Sequence, residues 1–488
     1  MKSLNLPARL KDRSLIEAIL KIARKRRVKL YLVGGYLRDI FLGREKDNPD
    51  IDFCLKRGAI NFGREVARQI KGGFVILDKT HGCGRVVKRM NNKIYTLDFT
   101  DFRGKTLEDD LLHRDFTINA LSIELEKFFA AGSIEDLTID PYKGREDLKL
   151  KVVRLVNKKA FDEDPLRLLR AFSLAIIFGF KIDKETLKAI KLKAKGLSEV
   201  SYERIRDELF KILERPGSFV YLQQLDKLKI LKIIIPEIEV MRGVKQGPYH
   251  HLDVWQHTLE TIRQLELLIT ELKNNREVQD YLDEIISPAR SRRALIKLGA
   301  LLHDIGKPAA LRHEDGKTKF HGHERIGTDI TKDIVERLKL SNDETDSLEK
   351  MVLWHLRPGY LADNQDLTPR AIFRYFRDTQ KEGLSILLLS LADQRATKGP
   401  LTTRQSRVRH EKVVSGLIKE YFRRKKEKKF PRLIGGDDLL KKFKLEPSPL
   451  IGKILREIEE LQAIGKIRNK KEALDAARKF IANQHRSK

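Results

Sequence analysis

Leu32-Val33-Gly34-Gly35-Tyr36-Leu37-Arg38-Asp39, followed by Pro49-Asp50-Ile51-Asp52-Phe53, decides how the first 150 residues are read. The run VKLYLV at 28–33 is a short apolar strand, and Gly34-Gly35 ends it. A helix carrying Arg38 and Asp39 is expected next. DIDFCL at 50–55 alternates polar and apolar residues, which is the strand period. Asp50 and Asp52 stand at i and i+2, so both carboxylates point to one face. Two adjacent carboxylates repel each other unless a cation sits between them. Mg²⁺ is commonly bound by one or two carboxylates plus substrate phosphates. A second metal at the same pair lowers the pKa of an attacking hydroxyl and stabilises a leaving pyrophosphate. The glycine pair lets backbone N–H groups approach a phosphate, with a helix N-terminus behind them, and Arg38 adds a charge-assisted contact. Alone, an Asp-x-Asp is often strand decoration and Gly-Gly an ordinary turn. Together, fifteen residues apart from Gly35 to Asp50, they read as a triphosphate site.

Working outward, residues 13–27 read as a basic helix, and 84–89 and 93–99 as further strands. Past residue 150 the pattern turns helical, at 165–178 (PLRLLRAFSLAIIF), at 203–213 (ERIRDELFKIL) and again over 433–488, where IGGDDLL is a helix start. The charge run RRKKEKKF at 423–430 reads as a linker or as a solvated helix face. The chain has 488 residues, enough for several domains, and a formal net charge of +29. That excess points to a polyanion, either nucleic acid or anionic membrane. No apolar run approaches the ~20 residues of a spanning helix, and the N-terminus has no signal-peptide core. Cys54 and Cys83 form no metal signature and read as reduced thiols. A cytoplasmic protein with no membrane partner is expected.

The ordered strings LVGGYLRD, PDIDF, RDFTINAL (114–121), EDPLRLLRA (163–171) and ERIRDEL (203–209) resemble the motif series of class II tRNA nucleotidyltransferases and bacterial poly(A) polymerases. The resemblance spans roughly residues 30–215. It implies that Asp50 and Asp52 are the catalytic metal carboxylates. It also implies that Gly34, Gly35 and Arg38 line the triphosphate, and that Arg114, Asp115 and Asn119 contact the incoming nucleotide or couple head to neck. His113 departs from the family, which usually has a second Arg there. Glu203 and Arg204 match the family's last motif and are expected to support the head.

Glu163-Asp164-Pro165-Leu166-Arg167 matches the family's nucleotide-selecting motif. Asp164 and Arg167 stand at i and i+3 of a helix start and share a face. A carboxylate accepts hydrogen bonds and a guanidinium only donates them. Cytosine and adenine each present an amino donor beside a ring-nitrogen acceptor, and uracil and guanine present the reverse. One Asp/Arg pair can therefore accept C and A and reject U and G with no nucleic-acid template. Glu163 is expected to orient Arg167. The plainer alternative is that Asp164 before Pro165 caps a helix and that Arg167 and Arg170 are surface charges.

The histidines add a second centre. His257 lies in DVWQHTL, His303-Asp304 in ALLHDIGKP, His323 in FHGHERIG, His355 in LWHLRP and Asp393 in SLADQRA. Such mixed N/O donors suit Mg, Mn, Ni, Co or Fe more than structural Zn. LLHDIGKP resembles the HD phosphohydrolase superfamily. This implies His257, His303, Asp304 and Asp393 around one metal, with His323 and His355 supporting a second metal or binding phosphate and Lys307 neutralising phosphate. His250, His251, His313 and His321 read as surface residues.

The expected architecture is an α/β nucleotidyltransferase head (1–150), a helical neck (151–240), a body with an HD domain (241–425) and a helical tRNA-binding tail (426–488). The expected activity is template-independent addition of CMP, with AMP as a further candidate, to the 3′ end of tRNA from CTP and ATP. Mg²⁺ is expected at the head, and Ni, Mn, Co or Mg at the HD site. In complete CCA-adding relatives a flexible loop precedes RDFTINA and helps re-shape the pocket from C to A. Here only about TDFRGKT is left for it before LEDDLLH, a length that suits an ordinary connection. CC addition is therefore expected over complete CCA addition, A addition or poly(A) synthesis.

Overall fold

A computed structural model describes residues 12–44, 48–129, 134–314, 316–363, 367–427 and 431–486. The chain divides into two compact units. The first is Met1–Ile212 with Gln224–Ile234, and the second is Leu213–Gln223 with Ile235–Lys488.

The first unit is built on a six-stranded sheet. Its strands are β1 (Tyr31–Val33), β2 (Asp50–Leu55), β3 (Gly73–Asp78), β4 (Cys83–Met90), β5 (Lys93–Asp101) and β6 (Ser122–Glu124). Their order is β3-β4-β5-β2-β1-β6. Only β2 and β5 run parallel. Asn91 and Asn92 join β4 to β5 with φ of 50° and 60°, the left-handed pair that a tight hairpin matching the strand twist requires. On β2 the expected alternation holds. Ile51 and Phe53 are fully buried, and Phe53 stacks on Phe99 of β5 with ring centroids 5.1 Å apart. Phe62, from helix Ala59–Ile70, meets Phe99 edge-on at 5.4 Å. This aromatic packing fixes which face of the sheet is core and leaves Asp50, Asp52 and Asp98 on the other.

The expected strand over 28–33 is shorter, Tyr31–Val33. The expected helix over 165–178 starts at Arg167, two residues beyond Pro165. Gly179, at φ 67°, ends that helix in the left-handed conformation. Sequence reading passed over β3 and β6.

In the second unit five helical segments converge. His257 lies on helix Val254–Glu271, and His303 follows helix Arg292–Leu302. His323 opens helix His323–Arg337, and His355 follows helix Asn342–Trp354. Asp393 lies on helix Gly383–Ala396, whose residues Leu384–Ala392 are all buried. Three further helices, Gly436–Phe443, Pro449–Ala463 and Lys470–Arg486, close around a small core of Ile434, Leu439, Ile454, Ile458, Ile467, Ala473 and Ala477. The charge run expected as a linker is helical at its start, since Arg423–Lys426 form the last turn of helix Arg404–Lys426. Residues 428–430 of that run lie outside the described residues, as do residues 1–11. Among the described residues no helix is long and apolar enough to cross a membrane.

Two candidate active sites

The first site forms where β1, β2 and β5 lie side by side. Asp52 is in register with Val33 on one side and Asp98 on the other. Asp98 is a third carboxylate on the same face, and sequence reading missed it. Its signal was the alternation of Tyr95, Leu97 and Phe99 around it. Arg85 holds Asp98 with two bonds of 2.8 Å. Burial pushes the Asp52 carboxyl up; Arg114 opposes this, and Asp98 and Asp50 add to it. A buried carboxylate facing like charges is relieved by a cation, so this donor set fits a hard divalent metal.

Gly34 has φ 76° and ψ −139°, a conformation open in practice only to glycine. A Cβ there would stand 2.8 Å from Arg114 Nη1 and 3.1 Å from Asp52 Oδ2. The Arg114 guanidinium and the Asp52 carboxylate thus both sit directly against the backbone of Gly34. Gly35 opens a helix of only seven residues, Gly35–Phe41.

Arg38 lies deeper than expected. It is 5% exposed. Nε and Nη2 donate to Asp39 Oδ1 at 3.0 and 2.9 Å, and Nη1 to Asn119 Oδ1 at 2.5 Å. Its guanidinium lies 4.3 Å from the Phe178 ring centroid. Asn119 Nδ2 donates in turn to Asp115 Oδ1 at 3.0 Å, and Arg170 Nε lies 3.1 Å from Asp115 Oδ2. Burial raises the Asp115 carboxyl, but Arg170, Asn119 and the Phe116 N–H outweigh it and leave it below the usual range. The structure brings Arg38, Asn119, Asp115 and Arg170 into one network. Arg170, read as a possible surface charge, is part of it.

The selecting motif is held from two sides. Arg167 donates from Nη2 to His113 O at 2.7 Å and from Nη1 to Ala160 O at 3.1 Å, with Glu163 Oε2 3.3 Å from Nη1. Glu163 Oε1 lies 2.7 Å from His113 Nδ1. Asp164 Oδ2 accepts from Arg204 Nη2 at 2.7 Å, and Oδ1 from Leu166 N at 3.2 Å. Arg167 is buried, which removes the surface-charge reading. Arg204 reaches Asp164, within the expected neck and not the head, whereas Glu203 is exposed and Glu208 is buried against Ser173.

The second site lies wholly in the second unit. His257, His303 and Asp304 form one metal-capable group, and Asp304, His323 and His355 another, the ligand atoms of each lying within 4.8 Å of one another. Asp304 is common to both. His257 Nε2 lies 2.8 Å from Asp393 Oδ1 and 3.7 Å from Asp304 Oδ2. His323 and His355 Nε2 lie 3.5 and 3.6 Å from Asp304 Oδ1. The Nδ1 atoms of His303, His323 and His355 meet the carbonyls of Ala300, Phe320 and Val352 at 2.9, 2.8 and 2.7 Å. These bonds aim each Nε2 inward, the usual support of a ligating imidazole. His303 Nε2 and Asp304 Oδ1 are buried without a hydrogen-bond partner, while Asp304 Oδ2 faces Lys307 Nζ at 2.7 Å. The two unpartnered buried atoms fit a metal.

His250, expected on the surface, belongs to this site. Its ring packs edge-on against His257 with centroids 4.7 Å apart. Burial, with Lys307 and His257 adding to it, presses its pKa down to about 3. His251, His313 and His321 are exposed as expected.

Residues 30–154 match the model of the poly A polymerase head domain, 179–241 that of the probable RNA and SrmB-binding site of polymerase A, and 254–398 the HD domain. The A-adding tRNA nucleotidyltransferase of Deinococcus radiodurans is 30% identical over 454 residues, 91% of this chain and 93% of that one. The chain belongs to the tRNA nucleotidyltransferase family. The CC-adding tRNA nucleotidyltransferase of Geobacter sulfurreducens is 30% identical over 93% of both chains. The Thermotoga maritima CCA-adding enzyme complexed with tRNA shares the fold, with a TM-score of 0.63 at 21% identity over 99% of this chain and 98% of that one. This tRNA nucleotidyltransferase is thus an enzyme with an HD domain, and it carries metal-capable groups in that domain.

Proposed function

We propose that this tRNA nucleotidyltransferase adds CC to tRNA 3′ ends and leaves the terminal A to another enzyme. The carrying observation is the connection between β5 and helix Leu107–Leu112. It is residues 102–106 only, and it is tied down. Lys105 N and Thr106 N donate to Asp109 Oδ2 at 3.0 Å each, Asp109 N donates to Thr106 Oγ1 at 3.1 Å, and Arg103 N donates to Asp110 Oδ1 at 3.1 Å. A segment this short and this bonded is no mobile lever. Identity to relatives does not separate the readings, being 30% to both an A-adding and a CC-adding enzyme.

In this reading the substrates are tRNA and CTP, in the cytoplasm. The tRNA 3′-hydroxyl oxygen attacks the α-phosphorus of CTP, the bond to the α–β bridging oxygen breaks, pyrophosphate leaves, and the hydroxyl proton passes to solvent. Asp50 and Asp52, with Asp98 beside them, would hold Mg²⁺, which would supply charge stabilisation at that phosphorus. Gly34, Gly35 and Arg114 receive the triphosphate. Arg38 acts from below, fixing Asn119 and through it Asp115. Asp164 and Arg167 read the base edge, and Glu163 orients Arg167. In this reading residues 1–150 serve as the nucleotidyltransferase head, 151–240 as the neck, 241–425 as the body with the HD domain and 426–488 as the tRNA-binding tail. At the HD site His257, His303, Asp304 and Asp393, with His323 and His355 beside them, would hold Ni²⁺, Mn²⁺, Co²⁺ or Mg²⁺, which would supply the Lewis acid for hydrolysis of phosphates at RNA ends. For a 2′,3′-cyclic phosphate, water adds to phosphorus, the P–O3′ bond breaks, and the proton goes to O3′, leaving a 3′-hydroxyl.

The test incubates tRNA transcripts lacking CCA with CTP and ATP together and sequences the products. Ends at C75 support the proposal; efficient A76 addition overturns it.

A further inference from the structure

Two cross-strand rows on the open face of the sheet run from the catalytic carboxylates to the edge strand β3. Asp52 is in register with Asp98, Asp98 with Arg85 and Arg85 with Val75. In the next row Asp50 is in register with Thr96, Thr96 with Val87 and Val87 with Gly73. Residues in register share a face of the sheet, so both rows lie on the side of Asp50 and Asp52. Arg89, two residues past Val87 on β4, pairs with Ile94 on that side as well. Val75, Val87 and Ile94 are 48%, 40% and 39% exposed. Arg85 uses Nε and Nη2 on Asp98, which leaves Nη1 open to a ligand. Arg89 is exposed and has no ion pair among the described residues.

This patch lies on one side of the reaction. Gly34 and Gly35 follow β1, and Asp52 stands between Val33 of β1 and Asp98 of β5. The attacking and leaving oxygens of such a displacement lie in line. With pyrophosphate leaving toward β1, the attacking 3′-hydroxyl must come from the side of β5 and β4. That side carries what a single strand of RNA needs: guanidinium groups for its phosphates and apolar surface for its sugars and bases. Arg85 stands two strand spacings from Asp52, about 10 Å, within reach of the last phosphates behind that hydroxyl. We propose that β3, β4 and β5 seat the last nucleotides of the acceptor RNA. Arg85 and Arg89 hold their phosphates, and Val75, Val87 and Ile94 lie under their sugars and bases. The proposal rests on reading Gly34, Gly35 and Arg114 as the triphosphate cradle.

The full-length protein is assayed with tRNA ending before C74, once varying tRNA at saturating CTP and once varying CTP at saturating tRNA. Arg89→Ala should raise KM for tRNA about tenfold, the worth of one charge-assisted hydrogen bond, and leave KM for CTP unaltered. Arg89→Lys should restore most of the loss, because a phosphate accepts from either cation. Val87→Asp should also raise KM for tRNA, by setting a carboxylate among the phosphates. Both positions are exposed, so these changes spare the core. In filter binding of the same tRNA, the slope of log K against log salt should be shallower in Arg89→Ala by about 0.7, one single-strand phosphate contact. An unaltered KM for tRNA or an unaltered salt slope in Arg89→Ala overturns the acceptor seat and leaves the cradle standing. Arg114→Ala tests the cradle separately and should raise KM for CTP. If it does not, the cradle reading fails, whatever Arg89→Ala does to tRNA.

Discussion

Arg167 and His113 are joined twice, once directly through the His113 carbonyl at 2.7 Å and once through Glu163, which touches the His113 ring at 2.7 Å. The Arg167 guanidinium is therefore fixed by backbone and side chain together, and its orientation relative to Asp164 is set before any nucleotide arrives. Arg167→Ala should relax discrimination against UTP and GTP by about 1–3 kcal/mol, the worth of one bidentate base contact, and lower kcat/KM for CTP. Glu163→Gln should move specificity in the same direction by less, because the His113 carbonyl still holds one end. Steady-state kinetics with all four nucleotides measures both. Unaltered nucleotide preference in Arg167→Ala would return Arg167 to a purely structural role.

Asp50→Ala and Asp52→Ala should each abolish nucleotide addition while HD-site hydrolysis continues, because the two carboxylate sets belong to different compact units. Asp98→Asn should slow addition less, since Arg85 already neutralises that carboxylate. The check is parallel assay of both activities on one preparation. Normal addition by both alanine variants would end the assignment.

What the sequence made legible was local. Asp50 and Asp52 are two residues apart on one strand, and strand period alone puts them on one face. HDIGKP carries its chemistry in adjacent letters. Asp98 was hidden because its place beside Asp52 comes from the β2–β5 register, which no spacing within either strand encodes. Arg38 and Arg170 misled for a related reason. Each is a cation on a helix next to a phosphate-type motif, and only the packing decides that Arg38 turns inward to Asn119 and Phe178 while Arg170 meets Asp115. His250 is followed by His251 in an irregular segment with no period, so nothing local separates the ring that packs on His257 from the one that faces solvent.

At the HD site, His303→Ala or Asp304→Ala should eliminate hydrolysis of a 2′,3′-cyclic phosphate. Chelation should do the same, with recovery on adding Ni²⁺, Mn²⁺ or Co²⁺. Asp304 stands in both metal-capable groups, so its loss should reduce bound metal more than loss of His323 or His355 does. Metal content by elemental analysis, run beside the assay, gives the comparison. Equal metal retention in all of these variants would show that Asp304 is not shared.

Stopping after CC depends on the stiffness of the connection at residues 102–106. Its stiffness is assigned to the capping box between Thr106 and Asp109. The backbone N–H of Thr106 leads the contacts that hold the Asp109 carboxyl below its ordinary pKa. A carboxylate with a depressed folded pKa contributes stability above its unfolded pKa, and that contribution is lost as pH falls through the folded value. The bonds at residues 105 and 106 should thus persist at neutral pH and loosen only below the usual carboxylate range. Asp109→Ala should remove them at every pH. Hydrogen–deuterium exchange over residues 102–112, corrected for the intrinsic rate, should be faster in Asp109→Ala than in the unaltered chain at pH 7. The difference should shrink as the pH drops below about 4, the reference value for Asp. If the two proteins exchange alike at pH 7, the connection is held by something other than this carboxylate, and the rigidity argument for stopping at C75 loses its physical cause.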